Sequence, residues 1–174
     1  MYKITTFSDM GKEEVEKGLK GLPFKKMKTS FEWRADQHTF QIVPFANQPQ
    51  YGQKGYRAYF NGDVDGGIYL FDMSLGWCNP NVTGVEYTLT HEGYTQTEWR
   101  KELRKRPSIK TIDAKGMFKK GNIMIVLVGD QVHLQIRGKS LKLIDCLREI
   151  EIMKGDLLPD EFNLFSFVEG GVAI

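Results

Sequence analysis

The sequence predicts an α+β fold, a single domain over residues 1–174 with a mainly antiparallel sheet and about three helices. Strand-like stretches outnumber helical ones, and the strand–helix–strand alternation of a parallel sheet is absent. The length of 174 residues, 41% of them apolar, suits one well-cored domain better than two small ones. No internal repeat, low-complexity run or linker marks a second domain.

Tyr2-Lys3-Ile4-Thr5-Thr6-Phe7 alternates apolar and polar residues and reads as a strand. Ser8 or Asp9 is placed to cap a following helix, with Glu13, Glu14 and Glu16 near its positive end. Val15, Leu19 and Leu22 share one face of that helix, and Pro23 ends it. Phe31–Arg34 and His38–Pro44 are the next strands, with Asp36-Gln37 as a turn between them. Pro44 has no N–H for the ladder, so its strand stops there or lies at an edge. Asn47 to Gly55 reads as a loop. Tyr56–Phe60 and Ile68–Phe71 read as a hairpin around the turn residues from Asn61 to Gly67. Cys78-Asn79-Pro80-Asn81 is a further turn, and Val85–His91 alternates as a strand.

Thr95 or Thr97 caps a short helix that runs to Arg106 and stops at Pro107. Asn122–Val128 is continuously apolar and reads as a central strand buried on both faces. Gly129-Asp130 turns the chain into the alternating strand Gln131–Arg137. Ser140 then caps a helix with Leu143, Ile144, Leu147 and Ile150 on its inner face. A run from Phe162 to Val168, after Pro159, has the composition of a last strand.

Several function classes are excluded or disfavoured. Two cysteines, Cys78 and Cys146, make neither a disulfide framework nor a four-thiolate zinc site. The apolar run Ile123–Val128 is too short to span a bilayer, and Met1-Tyr2-Lys3-Ile4 does not begin a signal core. A cytoplasmic protein without membrane contact is the expectation. Neither Walker nor dinucleotide glycine spacing is present, and no cofactor is implied.

Charge is unevenly distributed. The net value is +2, yet residues 100–120 hold nine Lys/Arg against two Asp/Glu, a local +7. Trp99 and Leu103, four apart, anchor a helix whose Arg100/Arg104 and Lys101/Lys105 strips face water, with Arg106 closing the turn. Lys110, Lys115, Lys119 and Lys120 follow in a connection that also holds Phe118. Lys/Arg of this density can follow a phosphate backbone, and a ring can stack a base. Lys25, Lys26, Lys28 and Phe24, or Arg57 among Tyr56, Tyr59 and Phe60, extend the patch if the fold brings them near. The competing account needs no ligand. Cations in the last turn of a helix offset its dipole by roughly 0.3–1 kcal/mol each.

The leading expectation is therefore a small non-enzymatic protein that binds nucleic acid or another polyanion through residues 99–120 with little base specificity. Its contacts are Arg100, Lys101, Arg104, Lys105, Arg106, Lys110, Lys115, Phe118, Lys119 and Lys120. One alternative is an adapter or inhibitor that docks on an acidic protein surface. Another is a metal-dependent phosphodiesterase assembled from His38, His91, His133, Asp63 and Asp65. No pair of these histidines has the spacing of a helical or strand metal motif. Asp63 and Asp65 equally suit a plain hairpin turn.

Overall fold

Among the described residues, the apolar positions of alternating strands meet on one side of one ten-stranded antiparallel sheet. The computed structural model describes residues 1–8, 11–35, 38–44, 55–62, 82–113 and 116–158. In chain order the elements are β1 (Tyr2–Ser8), α1 (Lys12–Gly18), β2 (Lys25–Lys26), β3 (Phe31–Ala35), β4 (His38–Pro44), β5 (Tyr56–Gly62) and β6 (Val82–Leu89). Then come α2 (Gln96–Arg104), β7 (Lys110–Asp113), β8 (Met117–Lys120), β9 (Ile123–Val128), β10 (Gln131–Leu141) and α3 (Leu143–Leu157). The sheet order is β2-β3-β4-β5-β1-β6-β10-β9-β8-β7, so the α+β antiparallel expectation holds, with the sheet dominating.

Residues directly opposite in an antiparallel pair point to the same face. The row Trp33, Phe40, Phe60, Ile4, Val85 and Ile136 runs across six strands. All of these but Trp33 are buried, and Trp33 packs against them. This face carries the core. Val15 and Leu19 of the α1 region, Trp99 and Leu103 of α2, and Leu143, Cys146, Leu147, Ile150, Met153 and Leu157 of α3 join the same cluster. The opposite face carries mostly polar side chains, with an apolar group of Met117, Met124, Val126 and Val128 on β8 and β9, and, among the described residues, no helix.

Several details depart from the sequence reading. Ser8 does not cap α1, because it stays in the ladder opposite Tyr56; Gly11 is the N-cap, and Asp9 lies outside the described residues. The helix ends at Gly18, before Leu22 and Pro23, and Gly21 takes a left-handed φ of 86° in the turn that follows. Asn61 and Gly62 are not turn residues. They are the last residues of β5, paired with Lys3 and Tyr2 of β1. The expected turns at 36–37 and 78–81, most of the 47–55 loop, and the strands at 68–71 and 162–168 lie outside the described residues.

The apolar strand β9 is not buried on both sides. Ile123, Ile125 and Leu127 are buried, Met124 and Val126 are half-buried, and Val128 is exposed. Only one face of an antiparallel sheet needs a helical cover, and β9 turns its alternate residues to the other. Ser140 does not cap α3. The β10–β6 register shifts between Arg137 and Leu141, the strand continues to Leu141, and Lys142 is the N-cap. Ile144 points away from the core at 50% exposure; Cys146 and Met153 sit inward in its place.

The supposed connection after α2 is a hairpin, β7–β8. Phe118, 1% exposed, anchors it to the core. Gly116 precedes β8 with a φ of 113°, and its carbonyl accepts the Leu127 N–H at 2.9 Å. A Cβ at this position would stand 3.1 Å from Leu127 Cβ. Gly116→Ala combines left-handed strain with that contact and is expected to cost roughly 1–3 kcal/mol. Urea denaturation checks this; a loss below a few tenths would show that the backbone relaxes freely.

The chain start is fastened to α3. Tyr2 Oη donates to Glu151 Oε1 at 2.5 Å, and Lys154 Nζ reaches the same oxygen at 2.9 Å. Lys154 also lies 3.9 Å from the centre of the Tyr87 ring. Burial raises the Tyr2 hydroxyl above its ordinary pKa, and the Glu151 carboxylate adds to this. Burial pulls Glu151 upward, but the hydrogen bonds from Tyr2 and Lys154 outweigh it and leave its pKa below the ordinary 4.5. A depressed folded-state pKa contributes stability above the unfolded value, lost as pH falls through the folded one. Melting temperature is therefore expected to fall as pH drops below about 4.5, and Glu151→Gln should flatten that limb. Parallel limbs for the two proteins would contradict the assignment.

Candidate nucleic-acid interface

The basic helix forms as its sequence requires. Thr95 is the N-cap of α2, and its N–H donates to Glu98 Oε2 at 3.0 Å. Trp99 and Leu103 are fully buried, and Trp99 Nε1 donates to the Asp130 carbonyl at 3.1 Å, tying α2 to the β9–β10 turn.

The cations that follow divide into two groups. Three of them are used inside the molecule. Lys105 Nζ lies 3.0 Å and Arg106 Nη1 3.3 Å from the Glu102 carboxylate. Arg106 Nε and Nη2 donate to the Asp156 carbonyl at 3.1 and 2.7 Å, filling an open acceptor at the end of α3. Lys120 Nζ lies 3.2 Å from Asp156 Oδ2. The hydrogen bond from Lys105, with that from Arg106, holds the Glu102 carboxyl below its ordinary pKa despite partial burial. Arg106 and Lys120 tie α2 and β8 to the C-terminal end of α3, while Lys105 stays exposed and pairs within its own helix.

Of the rest, Arg100 is half-buried, and its Nε is screened from solvent without a hydrogen-bond partner. Lys101 and Arg104 are exposed on α2. Phe118 is in the core, so it presents no face to a base. Lys115 lies outside the described residues. Lys110 and Lys119 are exposed and stand directly opposite each other across β7–β8. Lys26 pairs with Glu16 at 2.9 Å, and Lys25 and Lys28 are exposed.

Lys110 and Lys119 begin a row that the sequence reading did not find. Through successive ladder partners it continues as Met124, Gln135, Glu86, Lys3, Asn61, Thr39 and Arg34. It crosses the open face from β7 to β3. At about 4.8 Å per strand it is on the order of 38 Å long. A second row beside it holds Arg137, Gly84, Thr5, Tyr59, Gln41 and Glu32. Among the described residues Lys3, Lys110, Lys119 and Arg137 are exposed and make no ion pair. Arg34 pairs with Glu32, and Glu86 accepts from His133 Nδ1 at 2.6 Å and from Gln135 Nε2 at 3.1 Å. Strand spacing scatters these residues along the chain, so only the register reveals that they align.

Two depressions mark the face. A hollow of about 220 Å³ is bordered by Lys3, Thr5, Tyr59, Glu86 and Arg137. A larger cleft of about 820 Å³ lies where β10 parts from β9 and runs from Met117, Lys119, Met124 and Arg137 of the open face to Lys142 and Cys146 at the start of α3 on the helix side. Gln135 and Arg137 border both the hollow and the Arg137 end of the cleft. Burial raises the Cys146 thiol above its ordinary pKa, with Glu149 and Asp145 adding to the shift. Both effects favour the thiol over the thiolate, the nucleophilic form.

The histidines do not gather. His38 shares the row of Gly62, Tyr2, Tyr87 and Leu134 on the core side and sets its ring edge-on to Trp33 and Phe40 and tilted against Phe60. His133 lies on the open face, opposite Thr88, and His91 follows β6 with its ring against Tyr94. His38 and His133 thus point to opposite sides of the sheet. Among the described residues no group of three His, Cys, Asp or Glu could hold a metal ion; Asp63 and Asp65 lie outside them. No described helix is long and apolar enough to cross a membrane.

Among the described residues the architecture is sheet-dominated α+β, with three helices on one side of the sheet and a mostly polar, cation-bearing surface on the other. A scan against protein-family models finds no match to the chain, and searches of curated proteins and of solved structures find none either.

Proposed function

We propose that this is a non-enzymatic nucleic-acid-binding domain that receives the strand across the open face of its sheet, with little base specificity. The observation that supports this reading is the set of exposed cations without ion pairs on that face, Lys3, Lys110, Lys119 and Arg137. Their spacing along two adjacent rows matches a polymer with repeated negative charge better than a single small anion. Tyr59 projects a half-buried ring from the same face. Base stacking on such a ring contributes about 1–3 kcal/mol per base and tolerates any sequence. The basic segment 99–120 enters this interface through Lys110 and Lys119, with Lys101 and Arg104 exposed on the neighbouring helix.

The test is titration of a labelled single strand and a labelled duplex at several salt concentrations. Four phosphate contacts on a single strand give a log–log salt slope of about −3, or about a 50-fold loss from 50 to 200 mM salt. No binding, or binding indifferent to salt, would overturn the reading. Recovery of one stoichiometric protein partner after nuclease treatment, with no affinity for either nucleic acid, would favour a protein-docking role instead.

A further inference from the structure

We infer that the cleft between β9 and the β10–α3 corner holds one unstacked nucleotide of the bound strand, its base against the two methionines and its phosphate on Lys119 and Arg137. This rests on the reading of the open face as a nucleic-acid interface and names what the cleft would take.

The cleft is built by a divergence of strands. The β9–β10 ladder ends at Gln135 opposite Met124, and β10 runs on to Leu141 with β6 as its partner. The opening of about 820 Å³ falls within the range of small-molecule sites, about 300–1,000 Å³. Its walls differ in chemistry. Met124 lies opposite Lys119, and Met117 lies opposite Val126, so both methionines share the open face on neighbouring strands. Both are half-buried, and their thioethers supply a polarisable, adaptable surface for a flat ring. Exposed Lys119 and Arg137 line the cleft without ion pairs, and both are donors suited to a phosphate.

The α3 end of the cleft holds the carboxylates Asp145 and Glu149 beside the exposed Lys142. The carboxylates can accept hydrogen bonds from amino or hydroxyl groups of a nucleotide. An unstacked base also favours single strands, since a paired base cannot leave its stack without cost.

The experiment is NMR of the full chain labelled with ¹³C at its methionine methyls, titrated with adenosine monophosphate, uridine monophosphate and inorganic phosphate. Met117→Leu and Met124→Leu assign the two signals. Both are expected to move with either monophosphate, through the ring current of the base. Inorganic phosphate should leave them unmoved. Lys119→Gln, an exposed position, should weaken the monophosphate at least about threefold. Signals that stay fixed with every nucleotide, or move equally with phosphate alone, would overturn the inference. If they stay fixed while a single strand binds in a salt-dependent way, the cleft assignment fails and the open-face reading stands. If they move while no strand binds, the open-face reading fails and the cleft is a mononucleotide site. If neither ligand binds, both fail.

Discussion

Replacing Trp99 with alanine is expected to remove roughly 3–5 kcal/mol of stability. Trp99 is fully buried and is among the largest side chains in the core. Its ring meets Tyr94 edge-on at 5.0 Å, and its Nε1 closes a hydrogen bond to the Asp130 carbonyl. Alanine leaves a large cavity between α2 and the end of β9, and it orphans a carbonyl in the β9–β10 turn. For a chain of this size the loss corresponds to a fall in melting temperature on the order of 10 °C. Trp99→Phe keeps most of the volume and loses the hydrogen bond, so it should fall between the two. Urea denaturation with an unchanged m-value measures both. A loss under about 1 kcal/mol for the alanine variant would mean that α2 is not anchored in this way.

Reversing three charges together, Lys110→Glu, Lys119→Glu and Arg137→Glu, is expected to reduce affinity for a single strand on the order of 100-fold at low salt. The salt slope should collapse toward zero with it. All three residues are exposed and none makes an ion pair, so the folded state has little to lose. Reversal of Lys105 and Lys120 is the informative control. Those residues pair with Glu102 and Asp156, so their reversal should lower stability and leave the salt slope nearly unchanged. The opposite pattern, with affinity lost through Lys105 and Lys120 and retained in the triple variant, would move the interface back to the α2–α3 corner.

The contrast between these residue sets shows what could be read in the sequence. Strand alternation exposed β1, β3, β4, the start of β5 and β10 to within a few residues, because period-two patterning is local. The α2 helix was legible from Thr95, Trp99 and Leu103 for the same reason. The continuous apolar run of β9 misled, since its composition is that of a two-sided core strand while its burial alternates. Ser140 misled because a register shift, which no local signal announces, carries β10 past it.

The candidate interface was legible only in part. Nine cations in 21 residues suggested a single patch. Tertiary contacts divided it, placing Arg106 against the Asp156 carbonyl and Lys120 against the Asp156 carboxylate, some 36 to 50 residues away in sequence. Lys3 and Arg137 carry no local signal, because neither sits in a basic run. Their alignment with Lys119 comes from cross-strand register, a long-range property that composition does not encode.

Chemical-shift mapping of the backbone amides during titration with a short single strand tests the central claim most directly. The account predicts that the largest changes fall on the open face, at Lys3, Thr5, Tyr59, Lys119, Gln135 and Arg137, and fade as salt rises. Changes confined to α1, α2 and α3, or a spectrum that does not respond at low salt, would contradict it.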